Sequence, residues 1–486
     1  MEQSSSECPI EKLPPEIMHS IFEFLDLESL KSASLTCQRW ERIFVNYCTS
    51  RLTLCINAED GKNLDSTEPP TKRLQRATKM LQRTQRVYRN VHLSLMYGRF
   101  GPKQINGVLG TIFAPHRLQQ LVVLDLNLTL YSEHMVKDVS DAIAKMNRLQ
   151  ELRAIIFCKQ LFSIGRDGCN SYYKLTNPSL HKLAIRGLLP TVIDCPNMRS
   201  LELPLCLFEK SIANQIYFRH NEREERYWRV EQVEKLVIMH LIAMDSMDPI
   251  EFLRQFLQQM PRLKTLHLDT IGVLEKKLQL ISETCTQLEE LVLTSLDVDD
   301  PHILRHISKL THLRNIGVRH LLGNDTCPLS FASVNLPSLE KIFIISKSID
   351  YQSLACIPSI KWCKISPSLG LSRSLVCDGF AEHWRQLRFL WLNFVYVQDF
   401  VSIFLAELPK MPALEMLVLE DVFKLPDLHT FLPPLPQLKR LVIYHTKNNL
   451  QQYNNTAELA KLVPNVKRIE MSENKYRHEE DFVGNF

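Results

Sequence analysis

Aliphatic residues recur along most of the chain in a short repeated pattern. The motif L-x-x-L-x-L, in which another apolar residue can replace Leu, begins about every 18 to 35 residues between Tyr88 and Val466. The other starts are Leu118, Leu149, Leu180, Met198, Val233, Leu263, Leu288, Leu313, Leu339, Ile360, Leu387, Leu414 and Leu438. Because one residue separates the last two Leu positions, each motif predicts a short strand with one apolar face.

The segments between these strands predict helices. Residues 249–263 (PIEFLRQFLQQMPRL) and 275–288 (EKKLQLISETCTQL) have apolar residues three and four positions apart, which is the helical period. One strand and one helix in each unit of about 20 to 30 residues is the signature of leucine-rich repeats. The sequence therefore predicts an α/β solenoid with concave strands and convex helices. Residues 87–473 would form about 14 or 15 repeats, followed by a C-terminal tail at 474–486.

A different pattern precedes the repeats. Residues 8–50 predict three short helices, and Asp26 has the position of an N-cap for the second helix. Ile17, Ile21 and Leu25 follow one another at four-residue spacing and predict one apolar stripe on the first helix. Three short helices cannot bury all of the large apolar side chains in this segment, so the surplus predicts a surface for a partner.

This N-terminal segment resembles an F-box. The Leu-Pro pair, the acid, the Ile-Phe pair, the Leu and the late Cys-x-x-Trp of that family fall on Leu13, Pro14, Glu16, Ile21, Phe22, Leu25, Cys37 and Trp40. Thr36 departs mildly from the family pattern, which often has Val there. The resemblance implies that the segment docks the Skp-type adaptor of a cullin–RING ubiquitin ligase. The alternative is an unrelated three-helix cap on the repeat array.

The same resemblance implies which residues contact the adaptor. These residues are Leu13, Pro14, Glu16, Ile17, Ile21, Leu25, Leu30, Leu35, Cys37 and Trp40. Through the adaptor, the chain would join a cullin and a RING protein. We therefore expect these partners to be reached through the N-terminal segment and not through the repeats.

The distribution of charge distinguishes one segment. The chain has 486 residues, a net charge of +4 and 45% hydrophobic residues, which is an ordinary globular balance. Between Pro69 and Leu124, however, it has many Lys and Arg residues and no Asp or Glu. We assign residues 51–86 to a linker and a basic helix. The possible anion-binding residues are Arg76, Arg83 and Arg86.

Three interpretations of this basic stretch remain open. Its unneutralised cations could contact nucleic acid or anionic lipid, or its Arg side chains could grip the phosphate of a phosphorylated substrate. The favoured interpretation is a solvated helix that joins the F-box to the first repeat. Few aromatic residues interleave with the cations, so nucleic-acid binding is not favoured.

Large side chains occupy strand positions that face away from the consensus Leu residues. Because side chains alternate along a strand, these positions face the concave side of the solenoid. We predict a substrate-binding surface of Phe343, Trp362, Phe389, Trp391 and Asn393, rimmed by Arg319, His267, Asp269, Glu420 and Tyr444. An aromatic patch with a charged rim is typical of an interface hot spot. The alternatives are that the aromatics pack beneath the tail at 474–486, or that the register is displaced by one residue.

No motif in the chain indicates catalysis. There is no GxxxxGK phosphate loop, no GxSxG elbow and no HExxH helix, so we predict that the chain is not an enzyme and needs no cofactor. His302 and His306 lie four residues apart and could face a zinc ion together. No third ligand has a fixed place beside them, so we favour a solvated helix and predict no metal.

The compartment is predicted from the termini and the cysteines. The N-terminus has no apolar secretory segment, and the 13 cysteines are scattered without a C-x-x-C pair, which favours reduced thiols. The most apolar stretch, 387–408, is interrupted by charged residues and predicts no membrane span. We therefore expect a cytoplasmic or nuclear protein, or one found in both compartments.

These observations together predict a receptor that links two kinds of partner. By resemblance, the chain is the substrate-recognition subunit of an SCF-type ubiquitin ligase, with the F-box on the adaptor and the concave repeat face on an unidentified target protein. One alternative is an interaction scaffold that binds the adaptor without directing ubiquitination. The other alternative is a binder of nucleic acid or anionic surfaces through the basic segment.

Overall fold

A computed structural model of the chain forms two compact units. The first unit consists of Met1–Leu207 and Ser211–Val233, and the second of Phe208–Lys210 and Glu234–Phe486. The structure describes residues 13–47, 52–57, 69–84, 88–96, 100–159, 173–203, 227–238, 249–269, 274–296, 300–321, 329–346, 350, 353–354, 357–367, 384–393, 405–420, 428–445 and 456–473. The tail at 474–486 and most of the charged segment at 219–229 lie outside the described residues.

The N-terminal segment of the first unit folds into three helices. They are α1 (Pro15–Phe24), α2 (Leu27–Ser34) and α3 (Gln38–Tyr47). Asp26 is the N-cap of α2 and accepts a hydrogen bond of 2.7 Å from the amide of Ser29, as the sequence predicts. The buried core of the three helices consists of Met18, Phe22, Leu30, Ile43 and Phe44. A core of this size leaves apolar side chains of the same helices outside it.

Parallel strands follow in the first unit. In spatial order, its sheet consists of β1 (Thr53–Asn57), β2 (Asn90–Leu95), β3 (Val123–Leu130), β4 (Glu151–Cys158), β6 (Lys182–Gly187) and β8 (Ser200–Leu203). Each neighbouring pair in that order is parallel. The helices between these strands are α4 (Pro70–Arg83), α5 (Pro102–Ile112), α6 (Pro115–Leu118) and α7 (Glu133–Ala144). Parallel strands linked by helices are the arrangement of a leucine-rich-repeat solenoid.

A second, smaller sheet belongs to the same unit. It contains β5 (Lys174–Thr176), β7 (Val192–Asp194) and β9 (Tyr227–Trp228), all parallel. The connection from β6 to β8 spans only residues 188–199, and it contains the short strand β7 where longer repeats have a helix. Trp228 is buried, and its Nε1 donates a hydrogen bond of 3.1 Å to the carbonyl of Pro190. The sequence did not predict this sheet, because strands this short have no measurable period.

The structure corrects the assignment of residues 51–86 to a linker and a basic helix. β1 lies inside that segment and pairs with β2, so the sheet begins at Thr53. The residues of β1, TLCIN, contain only one Leu and do not match L-x-x-L-x-L, so the pattern did not predict this strand. Backbone pairing with β2 therefore places the segment in the repeat array.

Helix α4 is also part of the first unit. Its Leu74 and Leu81 are buried, as their position on one helical face predicts. Gln82 Nε2 donates to Thr111 Oγ1 at 3.3 Å and joins α4 to α5, and Arg117 Nη2 donates to the carbonyl of Leu81. These contacts hold α4 in place, so it is a packed element of the solenoid and not a solvated link.

The second unit continues the same architecture. Its strands in spatial order are β10 (Lys235–Ile238), β11 (Thr265–Asp269), β12 (Glu290–Leu296), β13 (Asn315–Leu321), β14 (Lys341–Ser346), β15 (Trp362–Pro367), β16 (Phe389–Asn393), β17 (Met416–Glu420), β18 (Arg440–His445) and β19 (Ile469–Glu473). All neighbouring pairs are parallel. The connections contain α8 (Pro249–Gln258), α9 (Leu274–Thr284), α10 (Leu428–Phe431), α11 (Thr456–Leu462) and the 3₁₀ helices Ile303–Lys309 and Leu408–Lys410. Helices α8 and α9 confirm the two helices predicted from periodicity.

The predicted strand register is also confirmed. Every motif start in the sequence is followed by one of the strands β2–β4, β6, β8 or β10–β19. In β16, for example, Leu390 and Leu392 are buried, whereas Phe389, Trp391 and Asn393 alternate with them and remain partly exposed. We call the side of each sheet that carries the consensus residues the core face, and the opposite side the open face.

Candidate protein-interaction surfaces

The F-box segment has two apolar stripes, and only one of them is in its core. Met18 and Phe22 of α1 are buried in the three-helix core, and Leu25 packs against it. Ile17, Ile21 and Phe24 lie on the other stripe with 48%, 39% and 91% of their surface exposed, and Leu35 after α2 is 78% exposed. Exposed apolar residues in one small segment mark a surface that a partner covers.

The structure separates the ten predicted adaptor-binding residues into three groups. Pro14, Glu16, Ile17, Ile21, Leu35 and Cys37 are exposed, whereas Leu13, Leu25 and Trp40 are partly buried against the helical core. Leu30 has no exposed surface and belongs to the core itself, so it supports the surface from beneath. The predicted stripe of Ile17, Ile21 and Leu25 is corrected, since Leu25 faces the core with Met18 and Phe22. Direct contact with an adaptor remains a prediction for the exposed group.

One exposed residue of this surface is absent from the predicted set. Phe24 lies three residues after Ile21 and seven after Ile17, so the helical period places all three on one face. That spacing was a sufficient signal in the sequence. Trp40, by contrast, packs edge-on against Phe22, with ring centroids 5.6 Å apart and planes at 67°. It therefore stabilises the core as well as bordering the surface.

The open face of the second unit brings together the predicted aromatic residues. Strand pairing places Phe343 beside Lys364 and Lys364 beside Trp391 on three successive strands. The Lys364 ammonium lies 3.6 Å from the centroid of the Trp391 ring and 5.5 Å from that of Phe343. The Arg319 guanidinium lies 5.1 Å from the Phe343 centroid on the other side. Cations and aromatic rings thus alternate along this row, an arrangement that cation–π attraction stabilises.

Two aromatic stacks extend this row. The rings of Trp362 and Phe389 are stacked with centroids 5.0 Å apart, and those of Trp391 and Tyr444 with centroids 5.6 Å apart. Trp391 Nε1 donates a hydrogen bond of 2.8 Å to Glu420 Oε2, and Lys364 Nζ lies 3.9 Å from the same oxygen. The carboxylate therefore fixes the indole and partly neutralises the buried ammonium.

Burial changes the electrostatics of this cluster. Lys364 is buried, and desolvation of its ammonium lowers the pKa of the side chain to about 8. The attraction of Glu420 opposes this decrease, while the repulsion of Arg319 adds to it. The surroundings of Lys364 thus favour its neutral amine more than water does.

His267 and Asp269, predicted as part of the rim, are buried in a different part of the open face. His267 Nε2 lies 2.7 Å from Glu290 Oε1, and Asn315 Nδ2 donates to Glu290 Oε2 at 3.1 Å. Burial lowers the pKa of His267, an effect that the hydrogen bond to Glu290 opposes. Burial alone would raise the pKa of Glu290, but the hydrogen bonds from His267 and Asn315 lower it below its usual value. This polar cluster spans β11 to β13.

Burial also divides the predicted substrate-binding set. Phe343, Arg319, His267, Asp269 and Glu420 are buried, whereas Trp362, Phe389, Trp391, Asn393 and Tyr444 are partly exposed. The accessible part of the surface is therefore the two aromatic stacks and Asn393. Among the buried members, Glu420 holds the Trp391 ring by a hydrogen bond. Binding of a target by this surface remains a prediction.

The remaining candidate residues have simpler surroundings. Arg76 and Arg83 of α4 are exposed, and Arg86 lies outside the described residues. His306 Nε2 lies 3.1 Å from Glu275 Oε1, which gives this histidine a carboxylate partner. Within the described ranges, no three His, Cys, Asp or Glu side chains are arranged to hold a metal ion. No helix in those ranges is both long enough and apolar enough to cross a membrane.

Comparison with known proteins defines the N-terminal segment. Residues 10–48 match the F-box-like family. A comparison with curated proteins found no match. Among solved structures, the chain is similar to that titled "Crystal structure of TLR13-ssRNA13 complex", with 14% identity over 82% of this chain and a TM-score of 0.34. It is also similar to the functional domain of InlJ from Listeria monocytogenes, with 14% identity over 71% of each chain and a TM-score of 0.27.

The match to the first of these structures is partial. The chain spans 65% of the length of that TLR13 chain. Both TM-scores are below 0.5, so the fold assignment rests on the strand order and register of the chain itself. By the family match of residues 10–48 and the parallel strand order, the chain combines an F-box-like domain with leucine-rich repeats. This is the architecture of a protein-interaction adaptor, a class that is typically non-catalytic.

Proposed function

We propose that the chain is the substrate-recognition subunit of an SCF-type cullin–RING ubiquitin ligase. The observation that supports this proposal is the exposed apolar stripe of Ile17, Ile21 and Phe24 within a segment that matches the F-box-like family. In this proposal the stripe docks on a Skp-type adaptor, which connects the chain to a cullin and a RING protein. The site of action would be the cytoplasm, the nucleus or both.

The energetics of the stripe favour docking over a capping role. A cap on the repeat array would bury its apolar stripe against the chain, but this stripe is exposed to solvent. Burying one Ile, Leu or Phe side chain fully contributes about 1.5 to 3 kcal/mol. Covering Ile21, Phe24 and Leu35 with an apolar partner surface would therefore supply a large part of the binding free energy of a stable complex.

The proposed target-binding surface is the open face of the second unit. Its partly exposed stacks, Trp362 with Phe389 and Trp391 with Tyr444, provide large rigid rings that lose little conformational entropy when a partner binds. Such a receptor needs no catalytic group of its own. It accelerates ubiquitin transfer by holding target lysines close to the loaded enzyme, which raises their effective concentration.

The test is a quantitative affinity purification of the tagged full chain from proteasome-inhibited cells. The first variant, Ile21→Ser with Phe24→Ser, removes exposed apolar surface, and its matched control, Gln38→Ser with Arg42→Ser, changes exposed polar residues of α3. We expect the first variant to lose the adaptor and the cullin and the control to retain both. Leu13→Ala with Trp40→Ala is less suitable, because both side chains pack against the core.

A second variant tests the target-binding surface. Trp362→Ala removes one ring of a partly exposed stack and leaves the F-box unchanged. We expect it to keep the adaptor and to lose a distinct protein, which accumulates in cells when the F-box is disabled. Adaptor binding by the folded Ile21/Phe24 variant would exclude the docking surface. An adaptor complex that never promotes ubiquitination of its captured proteins would favour the scaffold alternative.

A further inference from the structure

Helix α4 presents a row of cations on its outer side. Lys72, Arg76, Lys79 and Arg83 are exposed and follow one another at spacings of four, three and four residues. These spacings match the helical period, so the four side chains lie on one face, opposite the buried leucines of the same helix. From the helical rise per residue, the row is about 16 Å long.

Helix α5 continues this outer side with few side chains. Gln82 Nε2 donates to Thr111 Oγ1 at 3.3 Å, so α4 and α5 are neighbours. The helical period places Lys103, Gly107 and Gly110 in one exposed row of α5. A Cβ atom at either glycine would meet no neighbouring atom within 4 Å, so packing does not require glycine there. The two glycines cost helix stability, yet they leave the backbone of α5 open to the close approach of a partner.

The cations of this outer side are not balanced by acids on the same helices. Residues 69–124 contain no Asp or Glu, and the acids nearest in sequence, within 59–68, lie outside the described residues. Among the residues that the structure describes, the side chains of Lys72, Lys79, Arg83 and Lys103 form no ion pair or hydrogen bond. The exposed side of α7, by contrast, has both acidic and basic residues. The outer side of α4 and α5, which we call the basic surface, consists of Lys72, Arg76, Lys79, Arg83, Lys103, Gly107 and Gly110.

We propose that the basic surface binds an anionic lipid bilayer. Clusters of four to eight Lys and Arg residues are attracted by the negative potential of acidic lipids, and each cation near the bilayer strengthens binding about fivefold. The basic surface has five such cations. Met80 lies at the border of the cation row, and 66% of its surface is exposed. Its apolar side chain can enter the headgroup region, as apolar residues of interfacial helices do.

The form of the basic surface favours a bilayer over a nucleic acid or an acidic peptide. Its cations and its glycines lie on two neighbouring helices, where one planar surface can contact both. Neither α4 nor α5 contains an aromatic residue, so unpaired bases have no platform on which to stack. An extended peptide gains specificity from pockets for its side chains, which the bare glycines do not provide.

The test measures co-sedimentation of the full chain with phospholipid vesicles. One set of vesicles contains phosphatidylcholine alone, and the other contains about 30% phosphatidylserine, which supplies the negative surface potential. We expect binding to the anionic vesicles to be about tenfold tighter or more, and to weaken steeply when salt screens the charges. Lys79→Gln with Arg83→Gln should weaken this binding about 25-fold, because two cations are lost.

A charge-matched control lies in the same unit. Arg89 and Arg148 line one groove with His181, and no residue of α4 or α5 lines that groove. Arg89→Gln with Arg148→Gln therefore removes the same charge from a different place. We expect this control to bind the anionic vesicles nearly as well as the parent chain does.

A second variant changes the shape of the basic surface and keeps its charge. Gly107→Gln with Gly110→Gln adds two side chains at positions where a Cβ atom has open space, so we expect the fold to be retained. The added side chains should hold the bilayer away from α5 and weaken binding to the anionic vesicles, since the attraction decreases with distance. Thermal unfolding of each variant shows whether a loss of binding reflects misfolding.

Several results would overturn the proposal. Unchanged vesicle binding by the folded Lys79/Arg83 variant, an equal loss in the charge-matched control, or equal binding to neutral and anionic vesicles would each exclude a bilayer contact at this surface. Tighter binding of single-stranded RNA or of polyglutamate would assign the surface to a nucleic acid or an acidic protein instead. The Ile21/Phe24 variant should bind the anionic vesicles as the parent chain does, and a loss there would assign the contact to the F-box segment. Failure of this proposal is therefore distinguishable from failure of the proposed adaptor docking.

Discussion

The open faces of the two units have different chemistry, although the strands beneath them follow one pattern. On the first unit, His92 Nδ1 lies 2.9 Å from Asp125 Oδ2, and Arg186 Nη2 lies 3.1 Å from Glu202 Oε1. These pairs join neighbouring strands and remain partly exposed to water. The charged groups of this face are therefore paired with one another across neighbouring strands while they keep contact with water.

On the second unit, aromatic rings occupy equivalent positions of the repeat. Trp362 stacks on Phe389, and Lys364 lies between the rings of Phe343 and Trp391. Here the charged group is buried and desolvated, whereas the charged groups of the first unit keep contact with solvent. The comparison teaches that the consensus positions specify the strand and the core, while the positions between them are free to specify what the face binds.

The largest expected effect concerns the hydrophobic core of each unit. Leu126→Ala in the first unit and Leu417→Ala in the second each remove a side chain with no exposed surface. We expect each change to lower the free energy of unfolding by about 3 to 5 kcal/mol, because it leaves a cavity in a packed core. Denaturant unfolding measures this effect, and Thr129→Ala on the open face of β3 is the control with little change. A large effect in one unit only would show that the two cores are not equivalent.

The open faces should differ in their contribution to stability. Trp391→Ala removes the stack on Tyr444, the hydrogen bond to Glu420 and the ring beneath Lys364, so we expect a loss of about 3 kcal/mol. His92→Ala, at the corresponding place on the first unit, removes only a partly exposed pair and should cost at most about 1 kcal/mol. Thermal unfolding of both variants measures the difference. Equal losses would mean that the aromatic row adds no more stability than the polar pairs.

The smallest expected effect is a pH dependence that arises from Lys364. Its pKa in the folded chain, about 8, lies below the value of about 10.4 in an unfolded chain, so the unfolded state binds more protons between these values. The stability of the second unit should therefore rise as the pH increases from about 8 to about 10.4. Burial lowers the pKa of Lys277 to about 8 as well, which adds a second contribution of the same sign.

A variant isolates the contribution of Lys364 from that of Lys277. Lys364→Met keeps most of the unbranched side chain and removes its charge. The gap in unfolding free energy between this variant and the parent should change with pH by on the order of 2 kcal/mol. Urea unfolding at several pH values between about 7 and 10 measures this gap. A gap that stays constant with pH would show that the Lys364 ammonium is better solvated than its burial indicates.

Periodicity predicted the repeats well, because the hydrophobic spacing of a leucine-rich repeat is local. The starts at Leu263, Leu288 and Leu313 are followed directly by β11, β12 and β13. Two features escaped prediction for the same physical reason, which is that their stability comes from pairing with distant segments. β1 is a strand because it pairs with β2, and β7 is a strand because it lies between β5 and β9.

The sequence predicted on which face of the strand each site residue lies, but not how deeply it is buried. The alternation of Ile342 and Ile344 with Phe343 correctly placed Phe343 on the open face, yet Phe343 is buried there. On α1, the four-residue spacing extended the predicted stripe from Ile21 to Leu25, but the helix ends at Phe24. Leu25 is the C-cap with an extended backbone, so it leaves the helical face of Ile17 and Ile21 and packs against the core.

The sequence by itself determined the F-box-like segment, the repeat period, the strand register and the face on which each strand side chain lies. These features depend on the helical and strand periods and on residue type, which are local properties of the chain. Only the tertiary structure decided which open-face side chains are buried, which cations are paired, and that Arg89, Arg148 and His181 line one groove. Such properties arise where residues from successive repeats, about 30 positions apart, are brought within a strand spacing of one another.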